Sequence, residues 1–124
     1  MGDALHASFG EVEWKTVEEV FGDVGFHTEP GEQVAVLRHD PATGAIACLV
    51  RLPPGFQAPA PEVHGVDQEE VLLEGDLWLG DEEHRAPSYH FFPAGTPHGP
   101  IASREGCLVY VSMPGSVDVG YGGG

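Results

Sequence analysis

Residues 62–76 read Glu62-Val63-His64-Gly65-Val66-Asp67-Gln68-Glu69-Glu70-Val71-Leu72-Leu73-Glu74-Gly75-Asp76. The apolar run Val71-Leu72-Leu73, stopped by Gly75-Asp76, has the composition of a strand that ends in a turn. Ahead of it, Glu62 and His64 are two residues apart. Alternate side chains of an extended chain share a face, so this carboxylate and imidazole can enter one cavity together. Gln68 follows as a further oxygen donor, and the rigid segment Pro93-Ala94-Gly95-Thr96-Pro97-His98 carries a second imidazole. The expectation is that these groups, all within Gly55 to His98, meet around one metal ion.

Working outward, the same punctuation repeats. Gln33 to Arg38 and Ala45 to Leu52 are apolar runs flanking His39-Asp40-Pro41-Ala42-Thr43-Gly44, a turn by composition, which predicts a hairpin. Pro53-Pro54-Gly55 ends it, and the prolines of Phe56 to Pro61 favour an extended segment. Gln68 to Glu74 and Asp76 to Leu79 form a second predicted hairpin across Gly75-Asp76. Gly80 to Pro87 reads as a charged loop, Ser88 to Phe92 as a strand and Gly106 to Met113 as the last strand. Upstream, Val12-Glu13-Trp14 and Val17 to Phe21 fit either a short strand or a helical turn, and Gly22 to Gly31 reads as loop. The prediction is one all-β domain over 1–124, with its core at about 33–113 and loose ends at 1–10 and 114–124. Short strands between Gly and Pro signals, with no long helical pattern, imply a β-sandwich or a jelly-roll barrel.

Charge excludes some functions. Twenty acidic residues against five basic give a formal net charge of −15. Nucleic-acid binding needs a basic patch to displace counterions from phosphates, and an anionic membrane surface would repel this chain. Cys48 and Cys107 sit inside apolar runs and lack the short spacing of a zinc or redox site, so they read as buried free thiols. The sequence shows no signal-peptide pattern and no apolar run long enough to span a bilayer, which places the expectation in the cytoplasm.

The motif residues resemble those of the cupins, small jelly-roll barrels with a metal near the barrel axis. Pro93-x-Gly95-x-x-His98 fits the core of the second cupin motif, with Pro87 where its glycine and Ala102 where its asparagine would stand. In the first motif Gly55 and Gly75 fit the ends, His64 matches the second histidine, and Glu62 replaces the first. The usual glutamate position falls on Gln68, with Glu69 one step away. Arg51-Leu52-Pro53-Pro54-Gly55 and Glu69-Glu70-Val71-Leu72-Leu73-Glu74-Gly75 are also similar to acetylacetone dioxygenase and to the cupin-like domain of ChrR-type anti-sigma factors.

The resemblance implies a metal set of Glu62, His64, Gln68 and His98. Two imidazoles and a carboxylate with open positions suit non-haem Fe(II), and Mn²⁺, Zn²⁺ or Ni²⁺ would also be accepted. It implies an enzyme acting on a small molecule, with a dioxygenase on an enolisable or diketone-like substrate placed first. Non-oxidative lyase, isomerase or cyclase chemistry, or metal and ligand binding without catalysis, are the alternatives. Glu62 and Gln68 are then candidate catalytic groups, and Arg51 a candidate for fixing an anionic substrate. Phe56, Trp78, Tyr89, Phe91 and Phe92 are candidates for an apolar pocket. His6, His27, His39 and His84 read as surface or hydrogen-bonded core residues, while His90 lines the cavity or faces out. A homodimer is implied by the resemblance alone.

Overall fold

A computed structural model of the chain describes residues 4–22, 31–115 and 120–121. His27, most of the loop expected between Gly22 and Gly31, and much of the expected loose C-terminal end lie outside the described residues. The architecture is a curled antiparallel β-structure with, among the described residues, one short α-helix and one 3-10 turn, in line with the expected jelly-roll barrel.

Strands β1 (Gln33–His39) and β2 (Ile46–Leu52) form the predicted hairpin. The hairpin pairs through β2 with β9 (Cys107–Met113), and β9 pairs with the long strand β5 (Gln68–Leu79). On its other side β5 meets β7 (Ser88–Phe92) through its first half and β6 (Glu82–Arg85) through its second. That second half also pairs with β8 (Ile101–Ser103), which holds β3 (Phe56–Gln57). Strand β5 therefore belongs to both walls of the barrel. The alternation of β9 puts Cys107, Val109, Val111 and Met113 inside, opposite Leu52, Val50, Cys48 and Ile46 of β2. Both cysteines are free and buried, and burial pushes the Cys48 thiol up to about 12 and that of Cys107 to about 11.

Two expectations about this region are corrected. Gly75-Asp76 is no hairpin turn, because β5 runs straight through it with a bulge between Leu72 and Glu74. Gly75 (φ +83°) is required by a close approach, since a Cβ there would lie 1.9 Å from the Gly106 carbonyl oxygen. The hairpin comes later, at Gly80-Asp81, and the supposed charged loop contains β6, whose solvated edge position tolerates Glu82, Glu83 and Arg85. Strand β8 has no counterpart in the sequence reading. At the C-terminal end, β10 (Gly120–Tyr121) pairs with β4 (Glu62–Val63), where a loose end was expected.

Upstream, Val17–Phe21 is helical (α1) and packs Val17, Val20 and Phe21 against the core. Its start is fixed by a capping box: Glu19 N–H donates to Thr16 Oγ1, and Thr16 N–H to Glu19 Oε1. Thr16→Ala is expected to lower unfolding free energy by about 1 kcal/mol. Urea titration checks this, and an unchanged midpoint would mean that packing alone holds the helix.

Candidate metal centre

The two halves of the site are joined through the backbone. Glu62 N–H donates to His98 O and His98 N–H to Glu62 O, both at 2.8 Å, so these residues sit directly opposite each other in an antiparallel bridge. Directly opposed residues project to the same face, so the bridge brings their side chains together. His64 joins them by strand alternation. The Pro93–His98 segment is strapped down further by Gly95 N–H to His64 O and Ala94 N–H to Asp67 Oδ1, each 2.8 Å. Phe92 stacks on the His98 ring at 4.1 Å between centroids.

Ligand atoms of Glu62, His64 and His98 all lie within 4.8 Å of one another. Glu62 Oε2 is 3.6 Å from His64 Nε2 and 3.8 Å from His98 Nε2. This spacing is of the order that one ion with bonds of about 2 Å draws together. His98 Nδ1 lies 3.5 Å from Thr96 O, and the tautomer with its proton on Nδ1, facing that carbonyl, would leave a lone pair on Nε2 for an ion. That Nε2 is buried and has no hydrogen-bond partner. Burial by itself would raise the Glu62 carboxyl, but the flanking His64 and His98 outweigh it and hold it at about 2. The site thus presents an ionised oxygen donor and an unsatisfied nitrogen donor, which fits a divalent ion.

A sequence profile described as the ChrR cupin-like domain matches residues 7–115. The chain belongs to this family. No curated protein matches it by sequence. Its fold is shared by several solved structures. The polyketide cyclase RemF from Streptomyces resistomycificus is 21% identical with a TM-score of 0.72, over 98% of this chain and 86% of that one. An acetylacetone dioxygenase from Acinetobacter johnsonii is 18% identical with a TM-score of 0.68, over 92% and 74%. A chain from the complex of Rhodobacter sphaeroides SigE with the anti-sigma ChrR is 20% identical with a TM-score of 0.63. It is matched by 86% of this chain, which spans 51% of its length.

Beside the centre of this ChrR cupin-like domain lies a cavity of about 90 Å³. Its walls are largely apolar, with Val34, Cys48, Val50, Leu52, Phe56 and Leu77 among them. Glu62, His64, Gln68, Glu70 and Glu32 supply the polar groups. Gln68 and Glu70 are both buried, and Gln68 Nε2–H donates to Glu70 Oε1 at 2.8 Å. That bond turns Gln68 Oε1 away, and both this oxygen and Glu70 Oε2 are buried without partners.

Glu69 is exposed and receives the Tyr89 hydroxyl at 2.6 Å, so it does not enter the cavity. Arg51 stands apart as well. It is exposed on the outer face of β2, donates to Gln33 Oε1 at 2.6 and 3.1 Å, and lies over the Trp14 ring. Strand alternation sends Val50 and Leu52 inward and Arg51 out, which removes it from the substrate role. Of the five aromatic candidates for the pocket, only Phe56 lines the cavity. Tyr89 and Phe91 are exposed, Trp78 donates to Asp76, and Phe92 backs His98. His90 packs edge-on against His84 and stacks on Phe92.

Two acids of the cavity are not among the site residues expected from the sequence. Burial raises Glu70 to about 7, against the opposing Gln68 hydrogen bond. Burial, then the charges of Glu62 and Glu18, raise Glu32 to about 7. Parity could have found Glu70, because it shares a face with Gln68. No local signal marks Glu32.

Proposed function

We propose that this chain is a metal-dependent enzyme acting on a small, enolisable compound that offers two oxygens, such as a 1,3-diketone. Dioxygen is the co-substrate in this reading. The supporting observation is a cavity lined by Glu62 and His64, two of the three clustered donors that His98 completes, together with two buried, unpartnered acceptors, Gln68 Oε1 and Glu70 Oε2. A divalent ion held by the first three would supply Lewis acidity, open coordination positions and, if ferrous, electrons for dioxygen. The cavity has room for about three waters, or for a ligand of few heavy atoms. Its apolar walls exclude bulk water around that ligand. Glu70 Oε2 takes the proton from the carbon between the carbonyls, a task suited to a carboxyl near neutrality. Gln68 Oε1, held in place by Glu70, receives a hydroxyl or completes the donor set.

The test is oxygen uptake by Fe(II)-loaded protein given 2,4-pentanedione. Uptake in step with diketone loss is expected, and Glu70→Gln should slow turnover by roughly a hundredfold with metal content retained. Diketone loss without uptake would assign the same groups to lyase, isomerase or cyclase chemistry. Inertness toward the diketone under both conditions would overturn the reading.

A further inference from the structure

Lys15, Arg38, Arg51, Arg85 and Arg104 are all the lysines and arginines of the chain, and every one of these side chains is exposed. Arg85 pairs with Glu83 at 3.0 Å and Glu105 at 3.3 Å, Arg104 lies over Trp78, and Arg51 is held by Gln33 and Trp14. Lys15 lines a separate pocket with Glu13 and Glu19, and Arg38 lies on exposed β1 backbone near Asp40. None of the five lines the cavity beside the metal centre, whereas Glu32, Glu62 and Glu70 do.

Charged ligands are held in proteins by opposite charges, and an anion brought into this dry cavity would find none among the lining side chains, leaving the bound ion alone to offset its lost hydration. Here the wall adds repulsion, because carboxylates line it. We propose that the cavity selects uncharged ligands and turns away small carboxylates and phosphates, with Glu32 as the residue that sets this preference. The inference rests on the cavity being the substrate site. It also makes the proton step coherent. A neutral substrate breaks its C–H bond, keeps the electron pair as an enolate and forms an O–H bond on Glu70, so the total charge of the cavity is the same before and after. A substrate that arrives already ionised would add a negative charge that no lysine or arginine of the wall can offset, leaving only the bound ion to meet it.

A bound ion attracts any acid, so the informative quantity is the change on removing Glu32's charge. Protein loaded with Co²⁺ is titrated with acetate and, separately, with acetamide, which has the same shape without the charge. The cobalt absorption spectrum reports binding at pH 8.5, where a carboxyl raised to about 7 is ionised. Glu32→Gln is expected to tighten acetate at least threefold and to leave acetamide within twofold. Glu32→Ser, smaller and also uncharged, should reproduce the effect if charge is the cause. Acetate affinity unchanged or weakened in both variants, or no acetate response in either, would overturn the proposal. Neither probe is a diketone. The expected acetate result together with inertness toward 2,4-pentanedione would retire the enzymatic reading and keep the charge filter, and the reverse pair of results would do the opposite.

Discussion

His98→Ala is expected to weaken divalent-metal binding by roughly a hundredfold or more while the barrel stays folded. His98 Nε2 is a buried nitrogen with no hydrogen-bond partner, 3.8 Å from Glu62 Oε2, so it is placed to share an ion with that carboxylate. Removing the ring takes away one of three convergent donors and leaves Glu62 and His64 as a pair too sparse for tight binding. The backbone that positions it does not depend on the ring, because the reciprocal 2.8 Å bonds between residues 62 and 98 use main-chain atoms only. The ring also stacks on Phe92, so some stability is lost with it, but the buried core of β2, β5 and β9 is untouched. Metal content after dialysis against excess Zn²⁺, together with calorimetric titration, measures the effect. Arg51→Ala serves as the control, since its side chain faces away from the cavity, and should bind metal as the wild type does. Full occupancy in His98→Ala would mean that the three groups do not form one site.

How much of this was legible in the sequence depends on the range of the interaction involved. The β1–β2 hairpin and the strand Ser88–Phe92 follow from local alternation and turn composition, and the structure contains them with nearly the expected bounds. Glu62, His64 and His98 were legible as a set because motif spacing encodes the bridge that brings them together. Strand β5 was split in two because Gly75 has two uses that look alike in sequence, a turn or a close backbone approach, and here the approach to Gly106 won. Strand β6 was hidden by its charges, since an edge strand need not alternate. Arg51 was placed in the site by proximity to the motif, while its parity along β2 pointed the other way. Glu32 was beyond reach altogether: its burial is created by elements distant in the chain, which no window around residue 32 contains.

Asp76→Ala is expected to lower unfolding free energy at pH 7 by about 3 kcal/mol, the largest loss of stability among the substitutions considered. Asp76 is 1% exposed, and its carboxylate accepts four hydrogen bonds: from Trp78 Nε1–H at 3.1 Å, Ser103 Oγ–H at 3.0 Å, Arg104 N–H at 3.1 Å and Glu105 N–H at 2.9 Å. It thereby fastens the turn between β8 and β9 to the middle of β5. Alanine would take this acceptor from the Trp78 indole and the two amides, while Ser103 keeps the Asp76 carbonyl oxygen at 2.8 Å, and a fixed carboxylate bonded by several donors is worth more than neutral pairs. The sum is smaller than four separate bonds, because Arg104 and Glu105 are exposed and water can reach the relaxed turn. The same contacts make the effect depend on pH. Burial would raise the Asp76 carboxyl, but the amide, hydroxyl and indole donors outweigh it and lower the pKa below its ordinary value. A depressed folded-state pKa contributes stability that is complete above the unfolded value of about 3.9 and is lost as pH falls through the folded one. Wild type should therefore lose stability steeply below about pH 4, and Asp76→Ala less steeply, so that the two curves converge in acid. Asp76→Asn keeps the shape but replaces an acceptor with a donor facing other donors, and should fall between the two at neutral pH. Urea titrations across pH 3 to 7 test all three. An alanine variant within about 1 kcal/mol of wild type at pH 7 would show that the turn is held by the β-ladder of β5 and β9, with the carboxylate only filling space between them.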